Sequence, residues 1–366
     1  MNNKLLIVGS FPDDRSNIFG GIAKSCRILI NSNHFNEFKI LKLDSSQASS
    51  PKPSLFVRFL YAISRILRLT YLNIAKKPEV VLIFCSDGFS AIEKGIMIII
   101  SKFQGSKVMI FPRAGNLIEQ ANKNRNFNYL IKRLFSKSDI FLAQGKNWKK
   151  FAEESLNIVS DKIEIVHNWT ATKELLNIGF NKKIVDKTNI KLLYIGWLEK
   201  EKGLNELINA IKILVQKGYP IELVLIGDGS MREEIEWYTR ENKIDKKVFL
   251  KGWLSSNAIK FYLKESDIFI LPSWQEGMPN SLIEAVSSGI PSVASSVGVI
   301  PNYFTHLENI ILTEPKNITN LHMSIEELIK DFNLRKKLSN NALLIAKNFF
   351  SEDKSLENLS NKIKQI

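Results

Sequence analysis

At 366 residues, with 45% hydrophobic and 10% aromatic residues, the chain is long enough for two compact domains of ordinary size. No run approaches the ~18 apolar residues that span a bilayer, and the only cysteines, Cys26 and Cys85, stand far apart without metal-ligand neighbours, so a spanning helix, a disulfide framework and a zinc site are all excluded in favour of buried thiols. The formal net charge of +14 lies wholly in the first half: 28 Lys and Arg face 14 Asp and Glu up to residue 185, and 23 face 23 beyond it, which points to an anionic partner for that half or to a Lys-rich solvated surface.

The N-terminal "MNNKLLIVGSFPDD" is too short in apolar residues for a secretory leader and meets Asp13 and Asp14 where cleavage would fall, so the expected location is cytoplasmic. From there short apolar runs alternate with amphipathic stretches. "KLLIVGS" (4–10), "FKILKL" (38–43), "VVLIFCS" (80–86), "KVMIFP" (107–112), "DIFLAQ" (139–144) and "KIEIVHN" (162–168) read as buried strands. Segments such as "GIAKSCRILINS" and "NFNYLIKRLFSKS" between them carry apolar residues at helical spacing. The polar stretch 167–189 lacks a strand, and its part 171–189 reads as a linker. After it, "IKLLYIGW", "IELVLIGDG", "KVFLKGW", "DIFILPS" and "IPSVASS" repeat the pattern, and the tail from about residue 330 reads as helices. The expected class is therefore α/β: two Rossmann-like, doubly wound parallel-sheet domains, 1–170 and 190–349, facing a central cleft. Ligands of such sheets sit at the carboxyl ends of the strands.

The loops at those ends carry the candidate chemistry. "VGSFPDDRSNIFGGIAKS" opens the first helix with Gly20 and Gly21, whose backbone N–H groups can approach an anion; it is not the dinucleotide fingerprint, and a plain turn serves equally. "YIGWLEKEKGLNELINAI" presents Gly196, then Lys200 and Lys202 ahead of a helix, where a lysine can neutralise phosphate as a point charge. "LIGDG" makes a sharp turn at Gly227, Asp228 and Gly229 that is expected to leave open space over the sheet edge. In "LPSWQEGMPNSLIEAVSSGIP", a strand leads through a loop into a helix with Asn280 as its expected N-cap and Gly289 past its end. Glu276 is then held on the loop and Glu284 in the first turns of the helix. A carboxylate accepts from two neighbouring hydroxyls at once, and the free N–H groups of Gly277 through Leu282 favour phosphate, so the stretch reads as a ruler for a sugar nucleotide.

These residues, with "YIGWLEKEKG", "LIGDG", "FLKGWLS" and "VASSVGVIPNYF", resemble the second domain of the retaining glycosyltransferases of family 4, which have the GT-B fold; the likeness runs from about 190 to 350. The first half is similar more loosely, through Gly20-Gly21, "SDIFLAQGKNWKKF" and "IEIVHNW", where the family often has Asn-Gly at Asn168-Trp169. The resemblance implies that the C-terminal helix, about 350–366, crosses back to the first domain. It implies Glu276 at the donor-sugar hydroxyls, Glu284 at the ribose diol and Lys202 at the diphosphate, with Gly277, Met278, Pro279, Asn280, Ser281 and Leu282, beside Gly196, Lys200 and Gly227, lining the donor. Gly20 and Gly21 would sit near the diphosphate, and Arg113 and Asn168 on the acceptor or phosphate side. The donor would be UDP- or GDP-linked, with no metal and no other cofactor, as the lack of a D-x-D pair agrees. Transfer with retention to a saccharide or lipid-linked acceptor in O-antigen, capsule or exopolysaccharide assembly follows. Two departures stand out. Trp197 occupies the place of a usual Arg, so that Lys200 or Arg113 would have to share the phosphate load, and no histidine stands as a catalytic candidate in the first half, where only His34 and His167 occur.

"LFVRFLYAISRILRLTYLNIAKK" (55–77) sets arginines among large apolar residues. It reads either as a helix lying on an anionic inner membrane, which would make the protein peripheral on the cytoplasmic face, or as a core-facing helix with its arginines toward solvent. A sugar-nucleotide epimerase or hydrolase on the same scaffold is the alternative enzyme; nucleic acid is not an expected partner, since no aromatic RNP-like strand or zinc module accompanies the basic charge.

Overall fold

The computed structural model describes residues 3–12, 20–46 and 53–366. It divides into two compact units, residues 1–169 with 352–366, and residues 170–351.

The first unit runs β1 (Lys4–Gly9), α1 (Gly21–Ile30), β2 (Lys39–Asp44), α2 (Leu55–Lys76), β3 (Val80–Cys85) and α3 (Phe89–Phe103). It continues through β4 (Lys107–Pro112), α4 (Asn116–Lys123), α5 (Arg125–Phe135), β5 (Ile140–Ala143), α6 (Lys146–Glu154) and β6 (Ile163–Ile165). The second comprises α7 (Lys173–Asn181), β7 (Ile190–Ile195), α8 (Leu204–Gln216), β8 (Ile221–Ile226), α9 (Arg232–Glu241), β9 (Val248–Leu250) and α10 (Ser256–Glu265). There follow β10 (Ile268–Leu271), α11 (Asn280–Ser287), β11 (Ser292–Ser295), α12 (Ile300–Tyr303), β12 (Ile311–Thr313), α13 (Ile318–Lys330) and α14 (Phe332–Phe349). The last helix, α15 (Glu352–Gln365), returns to the first unit.

Each unit holds a six-stranded parallel sheet, in the orders β2-β1-β3-β4-β5-β6 and β12-β11-β10-β7-β8-β9. A parallel strand covered on both faces must be apolar throughout, and β3, "VVLIFC", is buried at every residue. In the first unit Leu5, Leu82, Met109 and Leu142 meet a ring cluster in which Phe84 and Phe111 pack on Trp169 at 6.2 and 5.8 Å between centroids. Leu356, Leu359 and Ile363, at helical spacing along α15, enter the same core, which is what ties the C-terminal segment to this unit.

Two sequence expectations change here. Residues 171–189 are not a linker strand of chain: Thr172 caps α7 by accepting from Leu175 N–H, and α7 packs against α11 and α14 of the second unit. Gly179 allows that contact, because a Cβ there would lie 2.3 Å from the Ser287 carbonyl oxygen. The second sheet also gains β12, whose three residues are too few to show a period.

Cys26 and Cys85 are both fully buried and unpaired. Burial pushes the Cys26 thiol up to about 12 and raises Cys85 further. The reactive thiolate is then about one part in ten thousand at about pH 8. Neither cysteine should react with a thiol reagent in the folded protein, and two equivalents should titrate after denaturation; prompt native labelling of either would contradict this packing.

Candidate functional site

In the second sheet β7, β8 and β9 run outward in one direction and β10, β11 and β12 in the other, so the topological switch point lies between β7 and β10. The loops that leave these two strands carry the Lys-bearing and Glu-bearing motifs. They are locked together at the backbone. Trp274 N–H donates to the Glu201 carbonyl at 2.9 Å, and Gly203, at φ +69°, lies so close to Pro272 that a Cβ would sit 2.0 Å from its carbonyl oxygen.

Above this contact Lys202 Nζ donates to Glu276 Oε1 at 2.7 Å, with both side chains half-buried. The pair joins the two loops at the point where a doubly wound sheet receives its ligand. Tyr194, buried beneath, donates its hydroxyl to the Trp197 carbonyl at 2.8 Å; burial, then the negative charges of Glu276 and Glu199, keeps its phenol well above the ordinary range. The loop continues through buried Gly277, Met278 and Pro279 to half-buried Asn280 and Ser281 and buried Leu282, the start of α11. Glu284 lies one turn in and is only 3% exposed.

Asn280 is not the N-cap. The helix begins on Asn280 itself and Pro279 takes the cap position, its φ of −71° being the value that the ring imposes. Gly289, at φ +70°, does close α11.

Gly227 corrects a second expectation. The turn at Gly227 and Gly229 leaves no open space: Cβ atoms there would meet the Gly196 and Leu198 carbonyl oxygens at 1.8 and 2.4 Å. The turn supports the β7 loop from behind, and Gly227 N–H donates to Gly252 at 2.9 Å. Lys200 stands exposed on the short 3-10 turn Lys200–Lys202. The Trp197 ring packs edge-on against Trp253 at 4.8 Å.

Four contacts around this site were not singled out from the sequence. Gly298, at φ +59°, lies under the Glu276 peptide, where a Cβ would be 2.0 Å from its carbonyl oxygen, and Val299 N–H donates to Gly277 at 3.3 Å. Trp274 donates its indole N–H to Glu206 at 3.1 Å, and Lys316 Nζ stands 4.4 Å from the centre of the Trp274 ring. Gly298 lies inside "VASSVGVIPNYF", and a glycine between a strand and a helix is a signal that could have marked it.

Of the remaining candidates, Gly20, Gly21, Arg113 and Asn168 belong to the first unit. Gly20 precedes α1, and among the described residues no heavy atom lies within 4 Å of its Cβ position; residues 13–19 of its loop, with Asp13 and Asp14, lie outside the described residues. Arg113, beyond the end of β4, donates to Ser25 Oγ at 3.0 Å and lies over Phe111 and Trp169 at 4.8 and 5.3 Å. Burial lowers its guanidinium to about 10, and Nη1 has no hydrogen-bond partner among the described residues. Asn168 is buried. His167 is also lowered by burial, and His306 accepts from Leu312 N–H at 3.1 Å, a structural role. Among the described residues no three His, Cys, Asp or Glu are grouped to hold a metal ion.

The family model for "Glycosyl transferases group 1" matches residues 178–344. The matched segment covers β7, β10 and the joined loops between them. An uncharacterized glycosyltransferase of Methanocaldococcus jannaschii is 27% identical over 54% of the chain and 53% of its own length. The amylovoran biosynthesis glycosyltransferase AmsK of Erwinia amylovora is 28% identical over 56% of the chain and 50% of its own. The chain therefore spans about half the length of these curated relatives. Anabaena HepE, solved in complex with UDP, superposes with a TM-score of 0.73 at 14% identity and covers 100% of both chains, a likeness of fold that places the molecule in the GT-B architecture.

The loop braced by Gly298 yields a direct test. Gly298→Ala should cost about 1–3 kcal/mol, measured by denaturant or thermal unfolding. Gly218→Ala, also at positive φ but with nothing within 4 Å, should lose only about 1 kcal/mol or so. Equal losses would mean that the Glu276 loop yields freely to a side chain at 298.

Proposed function

We propose that the chain is a glycosyltransferase that moves a sugar from a UDP- or GDP-linked donor to a saccharide or lipid-linked saccharide in bacterial surface-polysaccharide assembly. The observation that carries this reading is the Lys202–Glu276 pair at the β7/β10 switch point, followed within one loop by the start of α11 and Glu284. The group 1 match over the same residues and the likeness to AmsK, a glycosyltransferase of amylovoran biosynthesis, support it.

In this reading Lys202 and the positive end of α11 take the donor diphosphate. The ion pair gives that step a consequence. As Lys202 turns toward phosphate, Glu276 loses its partner and gains acceptor capacity for the hydroxyls of the donor sugar. Glu284 takes the ribose diol. No metal is required, because lysine and helix end meet the charge that develops on the leaving diphosphate. Transfer proceeds with retention: the bond from the anomeric carbon to the diphosphate oxygen breaks, the acceptor oxygen bonds on the same face, and the acceptor proton passes to the departing phosphate oxygen. Gly20, Gly21, Arg113 and Asn168 are assigned to phosphate or acceptor contacts. The basic first half, with 28 Lys and Arg against 14 acids, suits work at the anionic cytoplasmic face of a membrane.

Calorimetric titration with a panel of UDP- and GDP-sugars in EDTA checks the reading. One nucleotide sugar should bind despite the chelator, and Glu284→Ala should weaken it by about 1–3 kcal/mol. Absence of binding across the panel, or binding restored only by a divalent ion, would refute the metal-free donor site. Product analysis with the bound donor and an acceptor mixture then reads the anomeric outcome.

A further inference from the structure

The proposed activity leaves unexplained the outer face of the first unit at α2. Its 22 residues form a regular helix, yet it packs the wrong way round for a core helix. Phe56, Leu60, Ile63, Leu67, Tyr71 and Ile74, at spacings of three and four, make one stripe, and every one of them is exposed, Phe56 at 70% and Tyr71 at 65%. The inward positions are Arg65, Leu69 and Asn73. Arg65 grips Glu93 of α3 with two bonds, Nε to Oε1 at 2.6 Å and Nη2 to Oε2 at 3.0 Å, and Asn73 donates to Ser101 at 3.2 Å. A buried bidentate pair compensates the charge it hides, and it fixes the rotation of the helix with its apolar stripe outward. The adjoining α3 adds exposed Ile99 and Phe103, the latter 92% exposed.

A stripe of this length, about 27 Å from residue 56 to residue 74, exceeds the scattered apolar exposure of an ordinary surface and needs a partner. Charge selects among the candidates. On α2, α3 and α5 the one acid, Glu93, is buried with Arg65 and Lys94, and Lys102 is paired with Asp139, which leaves Arg58, Arg68, Lys76, Arg125, Lys132 and Arg133 toward the surface. A second copy would bring the same positive charge to the same face. An anionic lipid surface instead offers hydrocarbon to the stripe and phosphate to its basic rim.

We propose that the α2–α3 face is a monotopic membrane surface, on which α2 lies in the headgroup plane of an anionic bilayer with Phe56, Leu67 and Tyr71 inserted and Arg68 and Lys76 at the phosphates. The proposal deepens the glycosyltransferase reading, from which it takes only the lipid-linked nature of the acceptor. It gives the enzyme a fixed face toward the leaflet that holds that acceptor.

Flotation of the whole protein with phosphatidylcholine vesicles containing about one-quarter phosphatidylglycerol tests it. Wild type should float at low salt, lose most of its binding on pure phosphatidylcholine or at high salt, and bind about ten-fold or more weakly as the Leu67→Asp/Tyr71→Asp variant. Both positions are exposed, so the variant should keep its unfolding temperature; Arg68→Glu tests the charge alone and should reduce binding without abolishing it. Wild type that stays unbound at low salt, or binding that ignores the two aspartates, overturns the proposal. So does a dimer in sedimentation velocity that the aspartates break, since a second copy would then cover the face. Donor titration on the same samples separates the two ideas: flotation without donor binding leaves the membrane face and removes the transferase, and donor binding without flotation does the reverse.

Discussion

Backbone packs directly on backbone at the carboxyl ends of β7 and β10, and whatever the second unit offers a ligand hangs on that contact. Gly203 meets Pro272 from one side and Gly298 meets Glu276 from the other, each at a distance no side chain would tolerate. With the Trp274–Glu201 bond between them, the two loops become one rigid piece. Only then can Lys202 and Glu276, 74 positions apart in the chain, hold a 2.7 Å contact. The cost of ordering two long polar side chains is met by a support that was already ordered.

That pair also shows how two charges can be compensated where two loops meet. Alone, each charge would seek water or a counter-ion; together they are neutral and half-buried. In the proposed function an incoming diphosphate would compete for the lysine and release the carboxylate, so that binding one end of a ligand would change what the other end meets. Trp197, further along the β7 loop, packs edge-on against Trp253.

The first unit follows the same topology with a different emphasis. Its core is aromatic, built on Phe84, Phe111 and Trp169, and Arg113 lies over two of those rings. Its surface is where the charge asymmetry of the chain is expressed. Arg65 turned inward on Glu93 rotates α2 so that an amphipathic segment shows water the side that its periodicity would assign to a core.

Strand runs, their alternation with helices, and the split into two α/β halves were legible because a parallel strand covered on both sides has to be apolar along its length, and that pattern is local. The motif from 271 to 291 was legible for the same reason: strand, loop and helix follow one another within 21 residues, so Glu276 and Glu284 could be put on the loop and on the helix from spacing alone. What failed was non-local. The segment 171–189 looked like a linker because its burial comes from α11 and α14, more than a hundred residues away. Gly227 and Gly229 looked like an open turn because the backbone that fills the space belongs to β7's loop. Gly298 had no assigned role until it was seen beneath Glu276, and the direction of α2 stayed undecided between two faces until Glu93 was found opposite Arg65. The sequence by itself therefore determined which elements form and which loops bear charge, since those depend on period and on neighbours in the chain. Tertiary structure decided which glycine touches which carbonyl, which charge meets which, and which side of an amphipathic helix faces out, because these are set by contacts between residues that no local pattern links.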